Sequence, residues 1–262
     1  MKRMLLSLAL VFAISAPLFA DVTIVTNGTG KGLGMSGNMT STTYLKGLKM
    51  RIDTVIRDAT HTTIFDVENQ KMYVFDSKKK EADVWDMGAF AAEMSKSVSV
   101  ENVKASLKPN GKTKQIAGRN AAGYDMSISV PATLGGEKGM PMTVNLTGVV
   151  WIVKGAPGAA EYAAFYKGAA EKGWIFSDPR AAKGSPGQAK AMAEMYKQLA
   201  DIGGMPYETE MQIKVAGDGP MAGVLSRMGG MSMTQVTQSI ETGAVAADMF
   251  APPAGYKLKT QK

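Results

Sequence analysis

The sequence predicts a β-dominated α+β fold, in which an antiparallel sheet carries a small number of helices. Several segments alternate apolar and polar residues with a period of two, which is typical of strands with one buried and one solvated face. Short turn sequences join successive segments of this kind, and such connections indicate hairpins and therefore antiparallel pairing. Three segments place apolar residues at helical spacing instead.

The chain begins with the features of a secretory signal peptide. Two basic residues, Lys2 and Arg3, precede an apolar stretch, and the small residue Ala20 ends the segment. We therefore predict that residues 1–20 are a cleavable signal peptide and that residues 21–262 work in the periplasm or outside the cell. The apolar stretch is shorter than the ~20 residues of a membrane span, so we expect no stable span after cleavage.

The strand pattern runs along most of the mature chain. Val22–Thr26 predicts a first strand, and the glycines at positions 28–34 predict a flexible loop after it. The clearest alternation is found in residues 48–56, 124–130, 142–146 and 211–215. Turn sequences between strands are expected at Lys46-Gly47, Glu68-Asn69, Pro109-Asn110-Gly111 and Gly135-Gly136.

Two strands break the alternation, since Met72–Phe75 and Val149–Val153 carry large apolar residues on both faces. In an antiparallel sheet this pattern indicates that a helix, a partner or a ligand covers the second face.

Helices are expected over Met87–Lys96, Gly158–Gly173 and Pro186–Gly203. No repeat or long linker divides the mature chain. We therefore expect a single domain over 21–262 with a helical insertion around 158–203.

The sequence contains no constellation that identifies a catalytic reaction. His61 is the only histidine and cysteine is absent, so a histidine-based triad or a thiolate metal site has no partners. Gly111-Lys112-Thr113 resembles the end of a phosphate-binding loop but lacks the required earlier glycine. Four carboxylates near strand ends leave a glycosidase-like pair as an alternative, with turn solvation as the simpler explanation. They are Asp66, Asp76, Asp83 and Asp86.

Methionine is the compositional outlier, with 20 residues. Clustered thioethers in an exported protein could bind copper(I), and the densest set is Met221, Met228, Met231 and Met233. Most methionines, however, fall on the apolar stripes of strands and helices. We expect them to fill the core or to line an apolar pocket, and we predict no metal site and no cofactor.

The basic residues give a formal net charge of +7 but are scattered along the chain. The only run, Lys78-Lys79-Lys80, lies between two apolar segments and predicts a solvated hairpin tip. A nucleic-acid partner would require a clustered basic face with interleaved aromatic residues, so none is expected.

Five segments together resemble a bacterial envelope domain of the DUF4412 type. They are 44–51, 63–66, 71–74, 114–118 with Tyr124, and the closing Phe250–Lys257. This family is similar in expected fold to the lipoprotein carrier and receptor proteins LolA and LolB. The resemblance implies a strongly curved antiparallel sheet, an incomplete barrel, with helices packed on its concave side. It implies no catalytic residues.

The sequence leaves two non-catalytic functional hypotheses open, ahead of an enzyme as the third. The first is a periplasmic protein that binds or carries an apolar ligand, a lipid or an acyl chain, in the curved sheet. Its candidate lining residues are Phe65, Tyr73, Phe75, Trp85, Met126 and Trp151. The alternative is a non-catalytic interaction or structural module of the envelope, with an envelope protein as partner, in which helices fill the sheet completely. An open pocket of several hundred Å³ would favour the first.

Overall fold

The computed structural model of the chain describes residues 20–32, 35–97, 104–134, 140–174, 176, 179, 186–217 and 230–261. The signal peptide expected at residues 1–20 lies, except for Ala20, outside the described residues and stays a prediction.

The described chain contains twelve strands, three α-helices and one 3-10 helix. The first six strands are β1 (Val22–Gly32), β2 (Met35–Lys46), β3 (Lys49–Ile56), β4 (Ala59–Asp66), β5 (Lys71–Asp76) and β6 (Glu81–Asp86). The others are β7 (Lys104–Ile116), β8 (Arg119–Leu134), β9 (Met140–Val153), β10 (Met205–Gly217), β11 (Met231–Thr242) and β12 (Lys257–Thr260). The helices are α1 (Met87–Ser97), α2 (Ala159–Glu171), α3 (Pro186–Ile202) and the 3-10 helix Ala247–Phe250.

All twelve strands form one sheet in the order β12-β6-β5-β4-β3-β2-β1-β11-β10-β9-β8-β7. The sheet is curved and unclosed, because β12 and β7 do not pair with each other. Every pair is antiparallel except β12 with β6, which is parallel. The expected fold class, a curved antiparallel sheet with helices on its concave side, is confirmed.

The alternation in the sequence explains which face each strand buries. On β8, Met126 and Ile128 are buried, whereas Asp125 and Ser127 point to solvent. Residues directly opposite on neighbouring strands share a face, so one buried position fixes the orientation of its partners. The concave face collects most of the core in this way.

Two local expectations were wrong. The glycines expected to form a loop continue β1 as far as Gly32, where paired strands on both sides satisfy the backbone. The Pro109–Gly111 segment is a bulge inside β7 rather than a turn between strands, and the hairpin to β8 turns at Ala117 and Gly118. Both of these turn residues have positive φ, and this conformation is what a tight hairpin requires.

The C-terminal segment explains why the strand at 72–75 is apolar on both faces. Ile64, Val84 and Phe250 are buried but do not belong to the main core cluster. The ring of Phe75 packs edge-on against Tyr256, with 5.5 Å between the ring centroids. The chain after β11 therefore covers the convex face of β4–β6, while the helices cover the concave side.

Helices α2 and α3 pack against each other and against the sheet. The buried stripe of α2 consists of Tyr162, Phe165, Tyr166 and Ala169, at the helical spacing that the sequence shows. No helix in the described part of the chain has the length and apolar character needed to cross a lipid bilayer.

One side chain of α3 covers the free edge of the sheet at β7. The backbone N–H of Leu107 donates to Oε1 of Gln198 at 2.9 Å, and Nε2 of Gln198 donates to the carbonyl of Ala105 at 3.2 Å. The amide thus takes the place of a peptide group of a neighbouring strand, which limits pairing of this edge with other chains.

Candidate functional site

A partly enclosed cavity of about 260 Å³ remains between α2, α3 and the concave face of the sheet. We call it the apolar cavity. Its sheet side is built by residues of β1–β3 and β7–β11, and its roof is built by the two helices. Helices therefore cover this part of the concave face without filling it.

Methionine is the most frequent residue in the wall of the apolar cavity. The six lining methionines are Met126, Met192, Met195, Met205, Met211 and Met233. Met192 and Met195 reach it because they lie with Tyr196 and Leu199 on one stripe of α3 at helical spacing. Flexible, polarizable thioethers adapt to ligands of different shape, so this wall suits a non-specific apolar guest.

Four tyrosines line the apolar cavity, of which Tyr207 belongs to β10 and the other three belong to the two helices. The rings of Tyr166 and Tyr196 are stacked, with centroids 4.7 Å apart and planes within 8°. The rings of Tyr162 and Tyr166 are also 4.7 Å apart, and the Tyr166 hydroxyl contacts Sδ of Met50 at 3.9 Å. Desolvation by burial, reinforced by the neighbouring phenols at Tyr162 and Tyr166, raises the pKa of all three. They are consequently neutral and act as hydrogen-bonding groups without charge.

Four other polar groups of the wall have partners within the protein. Nε2 of Gln235 donates to Oγ1 of Thr26 at 3.0 Å, and Oγ1 of Thr237 donates to the carbonyl of Pro206 at 3.0 Å. Among the described lining residues, Glu208 is the only charged one. Its two carboxylate oxygens each accept a bond of 2.7 Å from Nζ of Lys114. The cavity thus offers no free charge for an ionic ligand, and its chemistry suits an uncharged, apolar one.

The six residues expected to line a pocket do not lie together. Met126 lines the apolar cavity. Phe65 and Trp85 are buried on the same face, one on each side of Met72, but they belong to the packed core. Phe65 lies 5.8 Å from Phe176 between ring centroids, within an aromatic cluster beneath the helices.

Tyr73, Phe75 and Trp151 lie on the opposite, convex face. Tyr73 and Phe75 alternate with Met72 and Val74 along β5, so they point toward the covering C-terminal segment. Trp151 donates from Nε1 to Oε1 of Glu210 at 3.2 Å. Strands that are apolar on both faces offer no sequence signal for which face holds the pocket.

Sequence reasoning missed the contribution of β1 and β11. Thr26, Gln235 and Thr237 line the apolar cavity, but strands this polar carry no apolar alternation from which a pocket could be inferred. The one available signal was the period of two that places Met233, Gln235 and Thr237 on one face of β11.

The other candidate groups have structural partners. Asp66 accepts from the backbone N–H and the side-chain amide of Asn69, and Asp86 accepts from the backbone N–H of Ala89 at the start of α1. Hydrogen bonds from the backbone and side chain of Lys79 lower the pKa of Asp76. Nε2 of Gln261 donates to Oδ1 of Asp83 at 2.7 Å. These contacts fit carboxylates that order turns and chain ends.

His61 is exposed on β4. In the part of the chain that the structure describes, no three histidine, cysteine or acidic residues are grouped as metal ligands. Of the methionine cluster considered for copper, Met231 and Met233 lie on β11, whereas Met221 and Met228 lie outside the described residues.

No known protein-family model matches the sequence, and no curated protein is significantly similar to it. Solved structures of similar fold include an uncharacterized conserved protein from Thermus thermophilus, with 6% identity, 93% of this chain and 92% of that chain covered, and a TM-score of 0.37. A Vibrio parahaemolyticus domain named for outer membrane lipoprotein sorting has 10% identity, 88% and 89% coverage, and a TM-score of 0.31. A DUF1329 family protein from Desulfovibrio piger has 9% identity, 92% and 93% coverage, and a TM-score of 0.32. Since all three TM-scores are below 0.5, these likenesses carry no information about what the chain binds.

Proposed function

We propose that the protein is an exported envelope protein of the DUF4412 type that binds the apolar part of a lipid or acyl-bearing ligand. The observation that carries the proposal is the apolar cavity itself, a space of about 260 Å³ between α2, α3 and the sheet, walled by methionine and neutral tyrosine. Export rests on the signal peptide expected at residues 1–20.

The size of the apolar cavity sets the strength of binding to expect. We take the volume of a methylene group to be roughly 30 Å³, which is the volume that one water molecule occupies in the liquid. The cavity of about 260 Å³ then holds about nine methylenes. At about 0.8 kcal/mol per buried methylene, their transfer contributes about 7 kcal/mol before the cost of association. This transfer term alone corresponds to a Kd of about 10 μM, and the cost of association weakens it, so binding should be measured from the micromolar to the millimolar range.

The proposal is tested by a larger side chain on β11 that fills part of the apolar cavity. In Met233→Trp an indole replaces a lining thioether and removes space for roughly two methylenes, so the Kd should rise about tenfold. The probe is a neutral monoacylglycerol with a chain of about ten carbons, measured by isothermal titration calorimetry below its micellar concentration.

Met231→Trp is the matched control, because Met231 lies two residues away on the same face of β11 and does not line the apolar cavity. It should bind as the unmodified chain does. Failure of the unmodified chain to bind any acyl probe would contradict the proposal and favour the alternative of a non-catalytic envelope module. Equal weakening by both substitutions would contradict this location of the site.

A further inference from the structure

The concave face carries a second, larger depression beside the apolar cavity. This charged groove has a volume of about 950 Å³ and lies at the far ends of β3–β6, with the β3–β4 and β5–β6 turns at its rim. Its charged lining residues are Arg57, Asp58, Asp76, Lys78, Lys79, Glu81, Asp83 and Lys259. None of them takes part in the function proposed above.

Strand register places one wall of the charged groove, at His61 and Val74, on the same face as the apolar cavity, whereas Thr60 and Phe75 line the groove from the opposite face. Thr26 of the cavity wall is opposite Ser41, Ser41 is opposite Thr54, and Thr54 is opposite His61 of the groove. The hydroxyls of Ser41 and Thr54 are hydrogen bonded at 2.9 Å, which confirms that these side chains point to one side.

A second set of residues that lie opposite one another on β3, β4 and β5 gives the separation between the two depressions. Ile52 of the cavity is opposite Thr63, which is opposite Val74 of the groove. Two strand spacings of about 4.8 Å put their nearest walls roughly 10 Å apart.

Polarity changes in one direction along this surface. On β3, Ile52 lines the apolar cavity, Thr54 presents a hydroxyl two residues later, and Arg57 lies at the turn. The path from Ile52 to Arg57 is about 17 Å at ~3.3 Å per residue. A molecule with an apolar chain, a hydroxyl- or ester-bearing middle and a charged head would match this order, and that is the order of groups in a lysophospholipid.

The groove carries four cationic and four anionic side chains, so any attraction for an anionic group comes from the cations that are not ion-paired. Lys79 is paired with Asp76 at 3.1 Å, and Lys259 is paired with Glu81 at 2.5 Å. Arg57 and Lys78 have no ion-pair partner among the described residues, although both lie at the groove. A guanidinium and an ammonium on adjacent turns suit the oxygens of a phosphate, which a guanidinium can bind through two parallel hydrogen bonds.

We propose that the ligand is a single-chain amphiphile with a phosphate-bearing head, whose chain lies in the apolar cavity and whose phosphate is bound in the charged groove by Arg57 and Lys78. This inference rests on the proposed function, because it requires the chain to occupy the apolar cavity. The cavity of about 260 Å³ has room for part of one acyl chain and not for two.

The test compares two probes with the same chain, lysophosphatidylethanolamine and monoacylglycerol, by calorimetry below their micellar concentrations. The lysophospholipid should bind about tenfold more tightly than the monoacylglycerol. The double variant Arg57→Glu/Lys78→Glu should abolish this preference and leave monoacylglycerol binding unchanged.

The control variant, Lys112→Glu/Arg119→Glu, makes the same change of charge on the exposed β7–β8 hairpin and should keep the preference. Equal binding of both probes to the unmodified chain, or a preference that survives in the groove variant, would overturn the inference while leaving the proposed function standing. If neither probe binds, both the inference and the proposed function are overturned.

Discussion

Replacing Gly148 by alanine is expected to lower the free energy of unfolding by about 3 kcal/mol. Gly148 lies on β9 between Met126 of β8 and Met211 of β10, both of which line the apolar cavity. A Cβ added there would lie 1.8 Å from the carbonyl oxygen of Glu210 and 3.0 Å from Cα of Met211. These are backbone atoms of a paired strand, so no side-chain rotation relieves the clash and β9 and β10 must separate.

Gly30→Ala is the control, since Gly30 is also a strand glycine and an added Cβ meets nothing within 4 Å. Its stability should stay within about 1 kcal/mol of the unmodified chain, because alanine is favoured over glycine in a strand. Urea denaturation followed by circular dichroism measures both. A Gly148→Ala protein as stable as the Gly30→Ala protein would contradict the close approach of β9 and β10 under the cavity.

Alkaline pH is expected to destabilise the protein through the three tyrosines that α2 and α3 contribute to the apolar cavity. Burial raises the pKa of Tyr162, Tyr166 and Tyr196, so the folded chain keeps these phenols protonated where the unfolded chain ionises them. The folded state then binds more protons than the unfolded state, and stability falls as pH rises above the unfolded pKa of about 10. The fall approaches about 1.4 kcal/mol per pH unit for each tyrosine, or about 4 for the three.

The triple variant Tyr162→Phe/Tyr166→Phe/Tyr196→Phe separates this effect from the titration of other groups. It removes the three phenols and keeps the rings, so the free energy of unfolding should depend much less on pH across the range of roughly pH 9 to 11 in which an ordinary tyrosine ionises. The comparison uses the slope of the free energy of unfolding against pH. A variant that is less stable at neutral pH therefore still gives an answer. Identical slopes for the two proteins would show that these hydroxyls are not buried.

The fold was predictable because its strands carry a local signal. Residues 124–130 alternate between a buried and a solvated face, and the pattern gives the orientation of β8 without any knowledge of its neighbours. The loop expected at the glycines of β1 was wrong, because glycine lowers strand propensity only locally. Pairing with β2 and β11 on both sides decides the structure of this segment.

The site was less predictable, because its location depends on which face of a doubly apolar strand meets the helices. Tyr73 and Phe75 are as apolar as Met126, yet Phe75 packs on Tyr256, 181 positions further along the chain. A contact so distant in sequence leaves no trace in the local pattern. The apolar stripe of α3 predicted a helix correctly, since helical spacing is a local property, but it gave no sign that Met192 and Met195 would line a cavity.

The most direct test of the central claim is the mass of the intact protein isolated from cells. The full chain, produced with its own residues 1–20, would be measured by native mass spectrometry before and after extraction with organic solvent. We expect one noncovalent adduct per chain with the mass of a single-chain lipid, lost on extraction, regained from added lysophospholipid and reduced in Met233→Trp. A protein that carries no adduct and takes up no lipid when it is offered would contradict the account.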